Sequence, residues 1–107
     1  MKFSTHNDGP VETNMSSLQG YLQSTRARLT AVFGEPELVG DKEDKVQLEW
    51  SIKFEDGTVA TLYDWKTHRE MPIDELYSWH IGGYASPIVG RVHDAYRESS
   101  GLMARAA

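Results

Sequence analysis

The chain has 107 residues, of which 25% are charged, a formal net charge of −5 and no cysteine. That length suits one domain with a single core, and the missing thiols exclude a disulfide framework and a thiolate metal centre. The basic residues are scattered and outnumbered, which disfavours nucleic-acid binding, because a phosphate backbone calls for a basic stripe.

No stretch approaches the about 20 apolar residues of a membrane span. An acidic surface keeps a small protein soluble and also suits mimicry of nucleic acid or docking on a basic partner. The cysteine-free composition agrees with a reducing cytoplasm.

Residues 1–15 are polar and carry His6, Asn7, Asp8, Gly9 and Pro10. They read as a flexible N-terminal arm rather than a signal peptide or an anchor, leaving 16–107 as one α+β domain. Residues 18–22 admit two readings. A helix from 17 to 33 would hold Gly20 in its interior at about 1 kcal/mol; otherwise a short extended segment precedes a helix capped by Ser24 or Thr25. Ala27, Leu29, Val32 and Phe33 give that helix, over about 24–33, its apolar stripe. Gly34 closes it and Pro36 blocks its continuation. Residues 37–44 read as a charged loop.

Residues 46–66 read as a β-hairpin. Val46, Leu48, Trp50, Ile52 and Phe54 alternate with Gln47, Glu49, Ser51 and Lys53, the period-two pattern of a strand with one buried face. Asp56-Gly57 suits a two-residue turn. That loop pairs Phe54 with Val59, Ile52 with Thr61, Trp50 with Tyr63 and Leu48 with Trp65, making an aromatic core face. On the other face Glu49 falls opposite Asp64, a destabilising like-charge pair.

After a polar connection over 68–76, residues 77–81 form another strand ended by Gly82-Gly83. Ser86-Pro87 supplies the N-cap and first residue of a second helix over 87–99. Ile88, Val92, Ala95 and Tyr96 form its buried face, and Gly101 closes it. The expected fold is α+β: a small antiparallel sheet, made of the hairpin and this strand, packed against the two helices.

Two sites are candidates. In the first, Gly82 and Gly83 let backbone amides approach a ligand at the helix N-terminus. His80, Ser86 and Arg91 stand nearby, and Trp65, Trp79 and Tyr84 offer a stacking wall, so a nucleotide-like ligand would suit it. The bland alternative is a strand, a Gly-Gly turn and a capped helix with tryptophans in the core. In the second, His80 beside Glu49 and Asp64 would bind a divalent metal or act as a base, unless the imidazole merely bonds Asp64. His6, His68 and His93 lack ligand spacing. No nucleophile elbow, phosphate-binding Gly-Lys loop or His-Glu-x-x-His motif occurs, so neither an enzyme nor a cofactor is expected.

Several blocks are similar to those of a known family: Ser17-Leu18-Gln19-Gly20-Tyr21, Phe33-Gly34-Glu35-Pro36, Phe54-Glu55-Asp56-Gly57-Thr58-Val59-Ala60-Thr61, Tyr63-Asp64-Trp65-Lys66 and Trp79-His80-Ile81-Gly82-Gly83. In this order they resemble an uncharacterised family of small accessory proteins of tailed bacteriophages, over most of the chain from Ser17 to about Tyr96. The resemblance implies a phage origin, hence the host cytoplasm and a counter-defence or host-takeover factor that engages a host protein. The alternatives are a binder that sequesters a nucleotide-type defence signal and, more remotely, a metal-dependent hydrolase on Glu49, Asp64 and His80. A small sheet leaves unpaired edges, which a homodimer would cover.

Overall fold

A computed structural model describes residues 2–7, 16–39, 45–67 and 70–106, the last seven of these by backbone alone. The fold is α+β: a six-strand antiparallel sheet with two helices packed against it. The strands are β1 (Phe3–Thr5), β2 (Ser17–Ser24), β3 (Glu37–Leu38), β4 (Leu48–Phe54), β5 (Val59–Tyr63) and β6 (Tyr77–Gly83); the helices are α1 (Arg26–Phe33) and α2 (Pro87–Ala106). The sheet order is β1-β4-β5-β6-β2, with β3 also paired to β4.

The hairpin forms, but one residue out of the expected register. Glu49 pairs with Tyr63, Trp50 with Leu62 and Ile52 with Ala60. The Phe54 amide donates to the Thr58 carbonyl at 2.8 Å, and Gly57 N–H returns to the Phe54 carbonyl at 2.9 Å. Glu55, Asp56 and Gly57 therefore make a three-residue loop, in which only Gly57 takes a positive φ, 90°. A type I′ turn needs positive φ at both central residues, whereas a three-residue loop needs it only at its final glycine. One residue of slip inverts the faces of the return strand: Ala60 and Leu62 join the core, and Tyr63 moves to the opposite side.

Core packing follows from that inversion. Trp50, Ile52, Leu62, Trp79 and Ile81 on the sheet are fully buried with Leu29 and Phe33 of α1 and Val92 of α2. The rings of Trp50 and Trp79 meet edge-on at 5.3 Å. Each indole N–H, costly to bury unpaired, donates to a carbonyl: Trp50 to Gly34 at 2.7 Å and Trp79 to Ser24 at 3.0 Å.

The extended reading of residues 18–22 is the correct one. Gly20 sits in β2 beneath α2, where an added Cβ would lie 2.8 Å from a Val89 methyl. Thr25 caps α1, its hydroxyl accepting the Arg28 amide at 3.1 Å. Gly34 ends the helix with φ 84° and its N–H on the Thr30 carbonyl.

Four other expectations need correction. Within the arm foreseen over 1–15, residues 3–5 are strand β1, held because Phe3 packs on Phe33 and Phe54; residues 8–15 lie outside the described residues. The foreseen 37–44 loop begins as β3, with 40–44 outside the description. Gly82-Gly83 continues β6 instead of ending it. Helix α2 runs through Gly101, where a glycine costs only about 1 kcal/mol against alanine.

Candidate functional site

On the sheet face away from the helices, one row of side chains crosses five strands. Glu37, Glu49, Tyr63, His80 and Tyr21 stand each opposite the next in register. Strand alternation sets them there: their neighbours Leu48, Trp50, Leu62, Trp79 and Leu22 point into the core. Trp65, just past β5, stacks on His80 with centroids 6.0 Å apart and planes at 23°. Tyr21 and Tyr63 approach the same imidazole at 5.0 and 5.3 Å. Tyr21 is 52% and Trp65 39% exposed, while Glu49, Tyr63 and His80 are half-buried.

The backbone at Trp65 is unusually constrained. Lys66 has φ 53°, the only positive value at a non-glycine among the described residues. Its N–H donates to the Lys45 carbonyl at 2.7 Å. The Lys66 ammonium lies over the indole, 5.6 Å from its centroid.

Burial shapes the electrostatics of the row. Burial first and the Glu37 charge second push the Glu49 carboxyl above the usual range. Burial, then Glu49 and Tyr21, raise the Tyr63 phenol. Burial lowers the His80 imidazole, with the Asp64 charge opposing, which favours the neutral ring. A row of neutral rings ending in two carboxylates can attract a cation to its ring faces. It holds no activated nucleophile.

The residues foreseen as one ligand site are divided between the two sides of the sheet. Trp79 lies in the core. His80, Gly82 and Trp65 belong to the open face. Gly82 pairs with Thr61, and Gly83 lies under α2, where a Cβ would meet an Ile88 methyl at 2.7 Å. Neither glycine forms an anion loop. Ser86 is exposed at the start of α2. Tyr84 and Arg91 line a separate cleft of about 410 Å³, mostly apolar, with Val59, Pro87 and Ile88. The Arg91 guanidinium is taken by the Asp56 carboxylate and by the Thr58 hydroxyl at 2.7 Å.

The foreseen metal cluster does not assemble. Asp64, one residue past β5, falls by alternation on the side of Leu62 and is wholly buried. Its Oδ1 accepts the Gln47 and Leu48 amides at 2.8 and 3.0 Å, and its Oδ2 the Thr67 hydroxyl at 2.5 Å. Glu49 is on the opposite face, and the like-charge neighbour it has is Glu37, not Asp64. Among the described residues no three acidic, histidine or cysteine side chains converge to hold a metal. Of the other histidines, His93 bonds the Tyr21 carbonyl at 2.8 Å and His6 the Ser4 hydroxyl at 2.9 Å; His68 lies outside the described residues.

Sequence reasoning missed Tyr21, Tyr63 and Glu37 as members of the row. The available signal was the second phase of residues 59–64, in which Ala60, Leu62 and Asp64 share a face. Among the described residues no helix is long and apolar enough to cross a membrane. No protein-family model, curated protein or solved structure matches this chain.

Proposed function

We propose that this chain is a binding protein, a phage-type accessory factor that engages a host protein in the host cytoplasm through the open face of its sheet. The observation that carries this reading is the aromatic row Tyr21–His80–Tyr63 with Trp65, of which Tyr21 and Trp65 are exposed. Large rings on an exposed face serve neither the core nor solubility, and aromatic residues are the side chains most enriched where proteins bind each other.

A photo-crosslinking residue at position 21 tests it in bacterial lysate, with position 97 on α2 as control. One protein captured from position 21 and not from 97, and lost when Trp65 is changed to Ser, is the expected result. No capture across several hosts, or equal capture from both positions, would overturn it.

The cleft beside Tyr84 favours a second reading, a binder of a small nucleotide-type signal, because its volume falls within the usual range of ligand sites. Thermal-shift screening with cyclic nucleotides and ADP-ribose derivatives tests this, since a bound ligand raises stability by RT ln(1 + [L]/Kd). A flat panel would remove it. The Arg91–Asp56 pair counts against it, because the cation such a ligand would use is already engaged.

A further inference from the structure

We infer that the aromatic row is a docking site for a basic segment of a partner protein laid across the strands, with one lysine or arginine side chain against the aromatic cluster of Trp65, Tyr63 and Tyr21 and the next toward the Glu49 and Glu37 carboxylates at the other end of the row. The inference rests on the binding reading above and names the chemistry of the partner.

Three observations converge on a cation. The first is the rings themselves. Trp65, His80, Tyr63 and Tyr21 lie within 5.0–6.4 Å of their neighbours in the cluster, and indole and phenol faces attract ammonium and guanidinium groups.

The second is unbalanced charge. Glu37 and Glu49 oppose each other across the β3–β4 ladder, and like charges so placed are destabilising. The ion pairs between described residues are Arg91–Asp56 and Arg97–Asp94, neither of them on this row. A cation arriving between the rings and these carboxylates relieves that repulsion.

The third is Lys66. Its ammonium already sits over Trp65, at a residue whose left-handed backbone costs an L residue about 1–2 kcal/mol. The protein's own cation thus marks the position a partner's cation would take, and would have to yield that position or share it.

The same charges argue against nucleic acid on these rings. Bases stack well on aromatic side chains, but their phosphates would face Glu37, Glu49 and a chain of net charge −5.

The test is a titration of the full chain by amide and indole NMR with a tri-arginine peptide, its uncharged tri-citrulline isostere and AMP. Tri-arginine should shift the Trp65 indole and the Tyr21 and His80 amides saturably, and tri-citrulline should bind about tenfold more weakly. Trp65→Leu and Glu49→Gln should each weaken tri-arginine about threefold to tenfold, with the rest of the spectrum unchanged to show that the fold persists. Lys66→Gln should strengthen binding more than Lys2→Gln, which removes the same charge elsewhere.

Equal binding of arginine and citrulline, preference for AMP, shifts centred away from the row, or identical effects of the two lysine variants would overturn the inference. Continued crosslinking from position 21 without tri-arginine binding would overturn it alone. Loss of both would remove the binding reading as well.

Discussion

Glu37 faces Glu49 across the ladder between β3 and β4, and among the described residues no cation pairs with either. Burial and this neighbour raise the Glu49 pKa, so the fold favours the protonated carboxyl. The stability tied to that preference is complete below the ordinary glutamate value of about 4.3. It is lost as pH rises through the higher value in the folded state. Glu49→Gln, neutral at every pH, should therefore stabilise the protein by about 0.2–1 kcal/mol at pH 7 and by almost nothing near pH 4. Urea denaturation at the two pH values checks this, and an equal effect at both would show that the charge is not responsible.

Asp64 is the buried charge on which the β4–β5 end depends. It holds two main-chain amides and the Thr67 hydroxyl while wholly out of solvent. Asp64→Ala should cost about 1–3 kcal/mol for each amide left unpaired, more than any change on the open face. Asp64→Asn keeps one acceptor oxygen and should cost less. Thr67→Val, which leaves both amides paired, should cost about 1 kcal/mol. Chemical denaturation of the three variants gives the order, and Thr67→Val proving the most costly would refute this account of the cap.

The two helices, the hairpin, strand β6 and the layer arrangement were legible in sequence, because alternation over Leu48–Phe54 and the Thr25 and Gly34 caps are local signals; the short strands β1 and β3, which read as arm and loop, were not. The face of β5 was not. Asp56-Gly57 serves both a two-residue and a three-residue loop, and both phases of residues 59–65 carry apolar side chains, so composition could not choose the register. That one residue moved Tyr63 out of the core and Asp64 into it. The foreseen pairing of Glu49 with Asp64 was therefore wrong, and the like-charge neighbour Glu49 does have, Glu37, stands on a strand that reads in sequence as loop. Gly82-Gly83 misled for a similar reason: adjacent glycines usually mark a turn. Here they answer crowding from Thr61 on the neighbouring strand β5 and from Ile88, in the first turn of the helix that folds back over Gly83.

That crowding makes Gly82 a sensitive position. A Cβ there would collide with the Thr61 hydroxyl oxygen, so Gly82→Ala should destabilise by about 1–3 kcal/mol through overpacking. Thr61→Ala removes the clashing atom, and the double variant should recover most of the loss, with a coupling of about 0.5–3 kcal/mol. Thermal unfolding of the cycle measures it. Additive losses would mean that the strain lies in the backbone and not at this contact.

The outer strand β2 ends the sheet, and its sequence, Ser17–Ser24, contains neither a charge nor a proline. Natural edges are commonly blunted by such residues, by bulges or by covering groups. β2 has a bulge between Leu18 and Gly20, and His93 takes the Tyr21 carbonyl. Residues 20–24 remain a regular, uncharged ladder suited to antiparallel pairing with a second copy about a two-fold axis. Such pairing would keep both open faces on one side and join two aromatic rows into one surface. Light scattering should then give twice the protomer mass at micromolar concentration. Gln23→Lys, which sets like charges near the axis, should shift the protein toward monomer without changing its fold. A monomer at all concentrations would show that the bulge and His93 are sufficient to close the edge, and that a single row is the whole of the docking face.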